Sequence, residues 1–180
     1  MREVLGDLFD FWQKKWIVVT VNIGWGQKPP PNSDAVVGPN PMGAGVAKEL
    51  ADRVPSVPIY YGHVCYHCKQ ATPTIWDPRG FILFPTKALN IQTPHLSWKA
   101  KSNIVLIERS LRELATLNLP TRAELAQYAH GAQIDNDEIL IPLVGCQNGK
   151  LLEKDVLPLM KSILDDRFVL VRKKPDQHDF

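Results

Sequence analysis

Residues 138–149 read Glu138-Ile139-Leu140-Ile141-Pro142-Leu143-Val144-Gly145-Cys146-Gln147-Asn148-Gly149. The apolar run from Glu138 to Val144 predicts a buried strand, and Gly145 to Lys150 predicts the turn that ends it. Leu151 to Leu164 continues with helical spacing, Pro158 marking an expected kink, and Phe168-Val169-Leu170-Val171 reads as the last strand. Strand, turn, helix and strand in that order are the unit of a parallel sheet.

The same pattern recurs upstream. Ile17-Val18-Val19-Thr20-Val21-Asn22 is a short β-branched run, read as a strand. Gly24 to about Pro41, with Pro29-Pro30-Pro31, excludes helix and central strand and is read as a long loop. Met42 to Val54 is read as a helix with Val46, Leu50 and Val54 on one face, stopped by Pro55. Residues 56–79 are broken by Pro58, Pro73 and Pro78, with Ile59-Tyr60-Tyr61 and Val64-Cys65-Tyr66 read as short strands. Gly80 to Pro85 is a strand ended by its proline, and Thr86 to Lys101 a loop. Ser102 is read as the N-cap of a helix from Asn103 to about Leu117. Thr121 and Glu124 form a capping box opening a helix to about His130. The alternation predicts a layered α/β domain over residues 1–172 and a polar tail over 173–180, with no internal repeat.

Composition agrees. With 180 residues, 44% hydrophobic and 22% charged, the chain has enough apolar material for one core. Lysine and arginine total 21 against 19 acidic residues, so any basic surface is local. No apolar run reaches the roughly 18 residues of a membrane span. The start lacks a signal-peptide pattern, and Cys65, Cys68 and Cys146 are too few for a disulfide framework; together these predict a cytosolic, reduced protein.

The chemistry-bearing features are two glycine turns, each between a strand and a helix: Met42-Gly43-Ala44-Gly45-Val46-Ala47 and Val144-Gly145-Cys146-Gln147-Asn148-Gly149. Such turns expose unpaired N–H groups and the positive end of a helix dipole, and two of them suit the two phosphates of a diphosphate. Glycines that merely make tight turns fit the same pattern. A dinucleotide fingerprint fails because Lys48 stands where its third glycine belongs. Gly145 to Lys150 is one residue short of a P-loop, and Leu151 replaces the Mg²⁺-binding hydroxyl, so no cofactor is expected.

Asp7, in Gly6-Asp7-Leu8-Phe9, suits either an exocyclic amine or a helix start. Lys87 ends Phe84-Pro85-Thr86-Lys87 just past a strand, where an ammonium steadies an oxyanion or an amine attacks an electrophilic carbon, or where it is simply solvated. His63, Cys65, His67 and Cys68 include a C-x-x-C spacing, but no second ligand pair follows, and strand alternation would send the two cysteines to opposite faces, so no metal is expected. His95 and Trp98 fall in the loop after Lys87, Trp98 as a lid or a core anchor. Arg79, Lys87, Lys99 and Lys101 are expected near one mouth, where they contact phosphates or solvent.

Taken together these pieces resemble the macrodomain family over about residues 1 to 172. The carrying stretches are Gly6 to Phe9, Ile17 to Asn22 with Gly24, Met42 to Ala47, Phe84 to Lys87, Trp98-Lys99-Ala100-Lys101-Ser102 and Ile141 to Gly149. The branch most similar is the DNA ADP-ribosyl glycohydrolases of the DarG antitoxin type. A sister branch acting on protein carboxylates has an aspartate where Gly149 stands, which favours the DNA-type branch.

The resemblance implies a three-layer α/β/α sandwich around a mixed, mostly parallel sheet. It implies ADP-ribose as ligand, ADP-ribosylated DNA as substrate and a DNA ADP-ribosyltransferase toxin as partner. Asp7 would accept from the adenine amine, with the Leu8 backbone beside it. Asn22 would touch the distal ribose. Gly43, Ala44, Gly45 and Val46, with Gly145, Cys146, Gln147, Asn148 and Gly149, would wrap the diphosphate and that ribose, and Met42, Thr86 and Val144 would also bind ADP-ribose. Lys87 would act at the anomeric carbon. Two departures bear on the mouth: the long loop 24–41, and residues 88–97 separating Lys87 from Trp98. A non-catalytic ADP-ribose reader, or a hydrolase acting on ADP-ribosylated protein, stands as the alternative.

Overall fold

The computed structural model describes residues 1–135 and 137–173. Its centre is a six-stranded sheet built from β1 (Arg2–Leu5), β2 (Trp16–Asn22), β3 (Ile75–Asp77), β4 (Phe81–Lys87), β5 (Ile139–Pro142) and β6 (Phe168–Arg172). The order is β1-β6-β5-β2-β4-β3, parallel except where β3 runs antiparallel along β4.

Period-two alternation divides the core. Ile17, Val19 and Val21 of β2 face a layer that holds α1 (Gly45–Arg53) and α2 (Ser56–Cys68), while Trp16 and Val18 face the opposite layer. That second layer holds α3 (Ile104–Ala115) and α5 (Glu153–Ile163), with the short α4 (Arg122–Leu125) beside them. The expected three-layer α/β/α sandwich is therefore present. Strands buried on both faces explain the continuous apolar runs in the sequence. Each fully buried aliphatic side chain contributes roughly 1.5–3 kcal/mol. No helix among the described residues is long and apolar enough to cross a membrane.

Several sequence-based expectations are corrected. Residues 56–68 are helix, not two short strands. Pro55 caps α2 and Pro58 lies in its first turn, where a missing N–H costs nothing, and Val57, Tyr61 and Cys65 then share the buried face. Cys65 and Cys68 are thus neighbours along a helix rather than on opposite faces of a strand. Proline does not end β4, which runs through Pro85 to Lys87. β3 stops opposite Leu83, so no strand on that side needs a donor, and the Pro85 carbonyl accepts from the Ser110 hydroxyl at 2.9 Å.

Asn103, not Ser102, caps α3. Its Oδ1 accepts from the N–H groups of Val105 and Leu106 at 3.0 and 3.1 Å. The Thr121–Glu124 capping box is present, but α4 ends at Leu125. Pro158 lies inside α5. β1 is an element that the sequence reading does not contain. Of the expected tail, 174–180 lies outside the described residues.

Candidate functional site

The carboxyl ends of β2, β4 and β5 open together on one edge of the sheet, the position where parallel α/β sheets place ligands. A cleft there holds about 680 Å³, its solvent mouth included. It brings together Asn22, Met42, Gly43, Ala44, Gly45, Val46, Thr86, Lys87, Gly145, Gln147, Asn148 and Gly149. Sequence reasoning left out Thr20, Val21, Pro41, Ala47, Pro142 and Leu143, and gave Trp98 and Ser102 other roles; all of these also line it.

Four of the expected ADP-ribose-binding residues do not line the cleft. Val144 is fully buried under the second turn, and Cys146 packs against the same core. Asp7 and Leu8 follow β1, on the same sheet edge but beyond β6. Asp7 caps a 3-10 turn (Leu8–Phe11), its Oδ1 accepting from the Phe9 N–H at 2.8 Å, and Leu8 is buried. Arg79 lies on the opposite edge, before β4, and is paired with Asp77 at 2.8 Å. It therefore stands apart from Lys87, Lys99 and Lys101.

The first turn leaves the start of α1 uncapped by any side chain. Ala44 is the N-cap of α1, is extended, and offers no side-chain cap, and no acidic residue stands in the first turn of α1. The N–H groups at the start of α1 are left without intrahelical acceptors. Gly45 has φ +58°, a conformation that an L side chain adopts only at a cost. A Cβ at Gly43 would meet nothing within 4 Å, so its backbone is open to approach.

The second turn faces the first. A Cβ at Gly45 would lie 2.8 Å from Nδ2 of Asn148. Among the described residues, the N–H groups of Cys146, Gln147, Asn148 and Gly149 donate to no protein acceptor. The turn is closed behind by Leu151 N–H donating to the Gly145 carbonyl at 3.0 Å and Ser102 N–H to the Gly149 carbonyl at 2.9 Å. Asn103 N–H donates to Thr86 at 2.9 Å, which ties the start of α3 to β4 as well. Gly149 packs so closely on the Ser102 hydroxyl and the Gly145 carbonyl that no side chain fits there.

Two buried cleft atoms, Oδ1 of Asn22 and Oγ of Ser102, have no partner among the described residues. The Asn22 amide itself is held, donating to the Pro41 carbonyl at 3.0 Å.

Lys87 reaches across the cleft. Its half-buried ammonium donates to the carbonyls of Trp98 at 2.6 Å and Asn148 at 3.3 Å. Burial, and then the charge of Lys150, lower its pKa below the ordinary lysine value.

The two departures noted in sequence leave this geometry in place. Loop 24–41 is stapled at its base: Gly38 N–H donates to Gly26 at 2.9 Å, and the buried Asn40 amide donates to Asn22 and Gly24 at 3.0 and 2.8 Å. Of residues 24–41, the cleft touches only Pro41. Residues 88–97 loop out and return through a 3-10 helix (Pro94–Lys99), which puts Trp98 back beside Lys87.

The cysteine–histidine cluster lies on α2, away from the cleft lining. Cys65 is buried, and burial pushes its thiol up to about 11. The His63 and His67 rings meet edge to face with centroids 4.2 Å apart. Among the described residues no three His, Cys, Asp or Glu side chains gather to hold a metal ion.

The chain has the macrodomain fold. It is similar to the macrodomain of Thermus aquaticus DarG, with a TM-score of 0.61, 21% identity and 97% of each chain covered. The Mycobacterium tuberculosis DarG macrodomain aligns at 0.57 and 20% identity, over 96% of this chain and 97% of that one. Thermosipho africanus DarTG, solved in complex with ADP-ribose, aligns at 0.57 and 21% identity, covering 98% of this chain and 43% of that one. No protein-family model matches the chain, and no curated protein sequence does.

Proposed function

We propose that the protein, with residues 1–172 as one domain, is an ADP-ribosyl glycohydrolase that releases ADP-ribose from modified DNA bases. The observation that carries this reading is Lys87, whose half-buried ammonium stands between two glycine turns rich in unpaired N–H groups. A neighbour of the same fold was solved in complex with ADP-ribose, which supports the ligand. Gly149 has no room for the aspartate of the protein-directed branch, which supports the DNA-type substrate.

The diphosphate would take the N–H groups of residues 43–47 and 146–149, with no metal required for its charge. Adenine would extend over β6 toward Asp7 and the Leu8 backbone; two strand spacings separate β1 from β5, about 10 Å. The distal ribose would rest against Asn22, its anomeric carbon toward Lys87. Hydrolysis adds water oxygen to that carbon, breaks its bond to the base, and returns a proton to the base. As an ammonium, Lys87 supplies that proton, and its lowered pKa makes it a readier acid. As a neutral amine it would instead attack the carbon, expel the base, and be released by water. A DNA ADP-ribosyltransferase, whose product this reaction reverses, is the corresponding partner.

Lys87→Ala is expected to lower turnover of an ADP-ribosylated oligonucleotide by roughly 10²–10⁴-fold while ADP-ribose still binds. Turnover near wild type in that variant would overturn the lysine assignment. The pH profile separates the two lysine roles. An acid role gives an alkaline limb below the ordinary lysine value of about 10.4, and a nucleophilic role gives a rise with pH over the same range.

One observation favours a reader without turnover: the Lys87 ammonium is already engaged by two carbonyls. That reading predicts ADP-ribose binding with no release from modified DNA or from modified protein.

A further inference from the structure

Trp98 combines three properties. The residue is 38% exposed, it lines the cleft, and its carbonyl accepts from the Lys87 ammonium at 2.6 Å. A large exposed aromatic on an unbraced loop would swing freely, but this one is braced on both sides. Ser97, just before it, is fully buried, and its hydroxyl accepts from the Asn90 N–H at 3.0 Å. The Pro94 carbonyl packs directly beneath Gly24, where no side chain would fit. Ala100 N–H closes the 3-10 helix onto the Ser97 carbonyl at 3.2 Å. The backbone is fixed while the indole remains accessible.

The residues that follow carry charge. Lys99 and Lys101 are exposed, and among the described residues neither makes an ion pair; the Lys99 ammonium lies 5.5 Å from the Trp98 ring centroid. An aromatic face flanked by unpaired lysines is how proteins hold unpaired nucleotides: bases stack on the ring and the cations follow the phosphates. The N–H donors available to the diphosphate lie in the glycine turns, which leaves the rim for another part of the substrate. The rim adjoins Lys87, whose ammonium is held by the Trp98 carbonyl.

Building on the glycohydrolase reading, we propose that Trp98 is the stacking platform for the nucleobase bonded to ADP-ribose, with Lys99 and Lys101 holding the flanking phosphates of single-stranded DNA. A base inside a duplex cannot lie on such a platform without leaving its stack, so single strands bind better than duplexes. The site then selects nucleobase-linked over amino-acid-linked ADP-ribose through the leaving group.

The test measures a ratio of affinities in the Lys87→Ala background, so that the ligand survives. The ratio is that of an ADP-ribosylated single-stranded oligonucleotide to free ADP-ribose. With Trp98 present, the oligonucleotide binds at least tenfold more tightly. Trp98→Ala is expected to lower that preference by about 10- to 100-fold, and Trp98→Phe to keep most of it. Lys99→Ala and Lys101→Ala each reduce the salt dependence of oligonucleotide binding by about one counterion.

An equal loss for both ligands in Trp98→Ala would overturn the proposal by placing the indole in the ADP-ribose pocket. An unchanged preference would overturn it outright. Phe and Ala behaving alike, with thermal melts unchanged, would overturn the stacking role. Failure of the wild-type enzyme to cleave the oligonucleotide counts against the glycohydrolase reading alone, because the affinity ratio is read without turnover.

Discussion

The two glycine turns face one cleft, yet their glycines are there for different reasons. A methyl group at Gly43 would point into open space, whereas one at Gly149 would run into the Ser102 hydroxyl and the Gly145 carbonyl. The first turn is open, and on the proposed reading its glycine would leave the approach of a ligand free. The second is closed from behind, and its glycine serves the packing that holds β4, α3 and the turn together. A sequence pattern reports small residues in both places and does not distinguish access from packing.

Gly149→Asp tests the closed turn and carries the largest effect. Forcing a side chain against Ser102 and Gly145 should cost about 3 kcal/mol or more, seen as a lower urea midpoint. A variant as stable as wild type would show that the turn has room, and the case against a lysine–aspartate pair would fall with it.

Gly43→Ala tests the open turn. Stability should change by no more than about 0.5 kcal/mol, because the new Cβ meets nothing within 4 Å. ADP-ribose affinity should fall about tenfold by calorimetry, as the methyl occupies the diphosphate's approach. Equal affinity would place the diphosphate elsewhere and erase the contrast between the turns.

The smallest expected effect compares two adjacent residues behind the second turn. Asn103→Ala removes the cap of α3 and should cost about 1 kcal/mol. Ser102→Ala removes a buried hydroxyl that has no partner, so stability should hold or rise by less than about 1 kcal/mol. Thermal melts of the two side by side decide the matter, and a large loss in Ser102→Ala would mean that the hydroxyl is satisfied in the folded protein.

Particular elements show why sequence reading succeeded in some places and failed in others. β2 and β6 are buried on both faces, so their apolar runs stand out against polar neighbours. β1 is an edge strand with charged Arg2 and Glu3 outward, and its pairing with β6 is a contact between the two ends of the described chain that no local pattern encodes. In α2, prolines obscured a legible spacing: Val57, Tyr61 and Cys65 recur every fourth residue, as a buried helix face requires. Ser102 and Asn103 are both good caps by type. Their roles were settled by which side chain turned outward to the helix and which was drawn under Gly149.

Local chemistry was enough to mark β2, β4, β5, β6 and the glycine turns, because burial and backbone freedom restrict residue type position by position, whereas the role expected of Lys87 came from the family resemblance. Bringing those turns face to face across one cleft, turning Lys87 onto the Trp98 and Asn148 carbonyls, leaving Asp7 and Arg79 outside the cleft, and bracing the indole at its rim all depended on strand order and on where the loops return. Those contacts join residues far apart along the chain, and their energy exists only once the sheet has assembled.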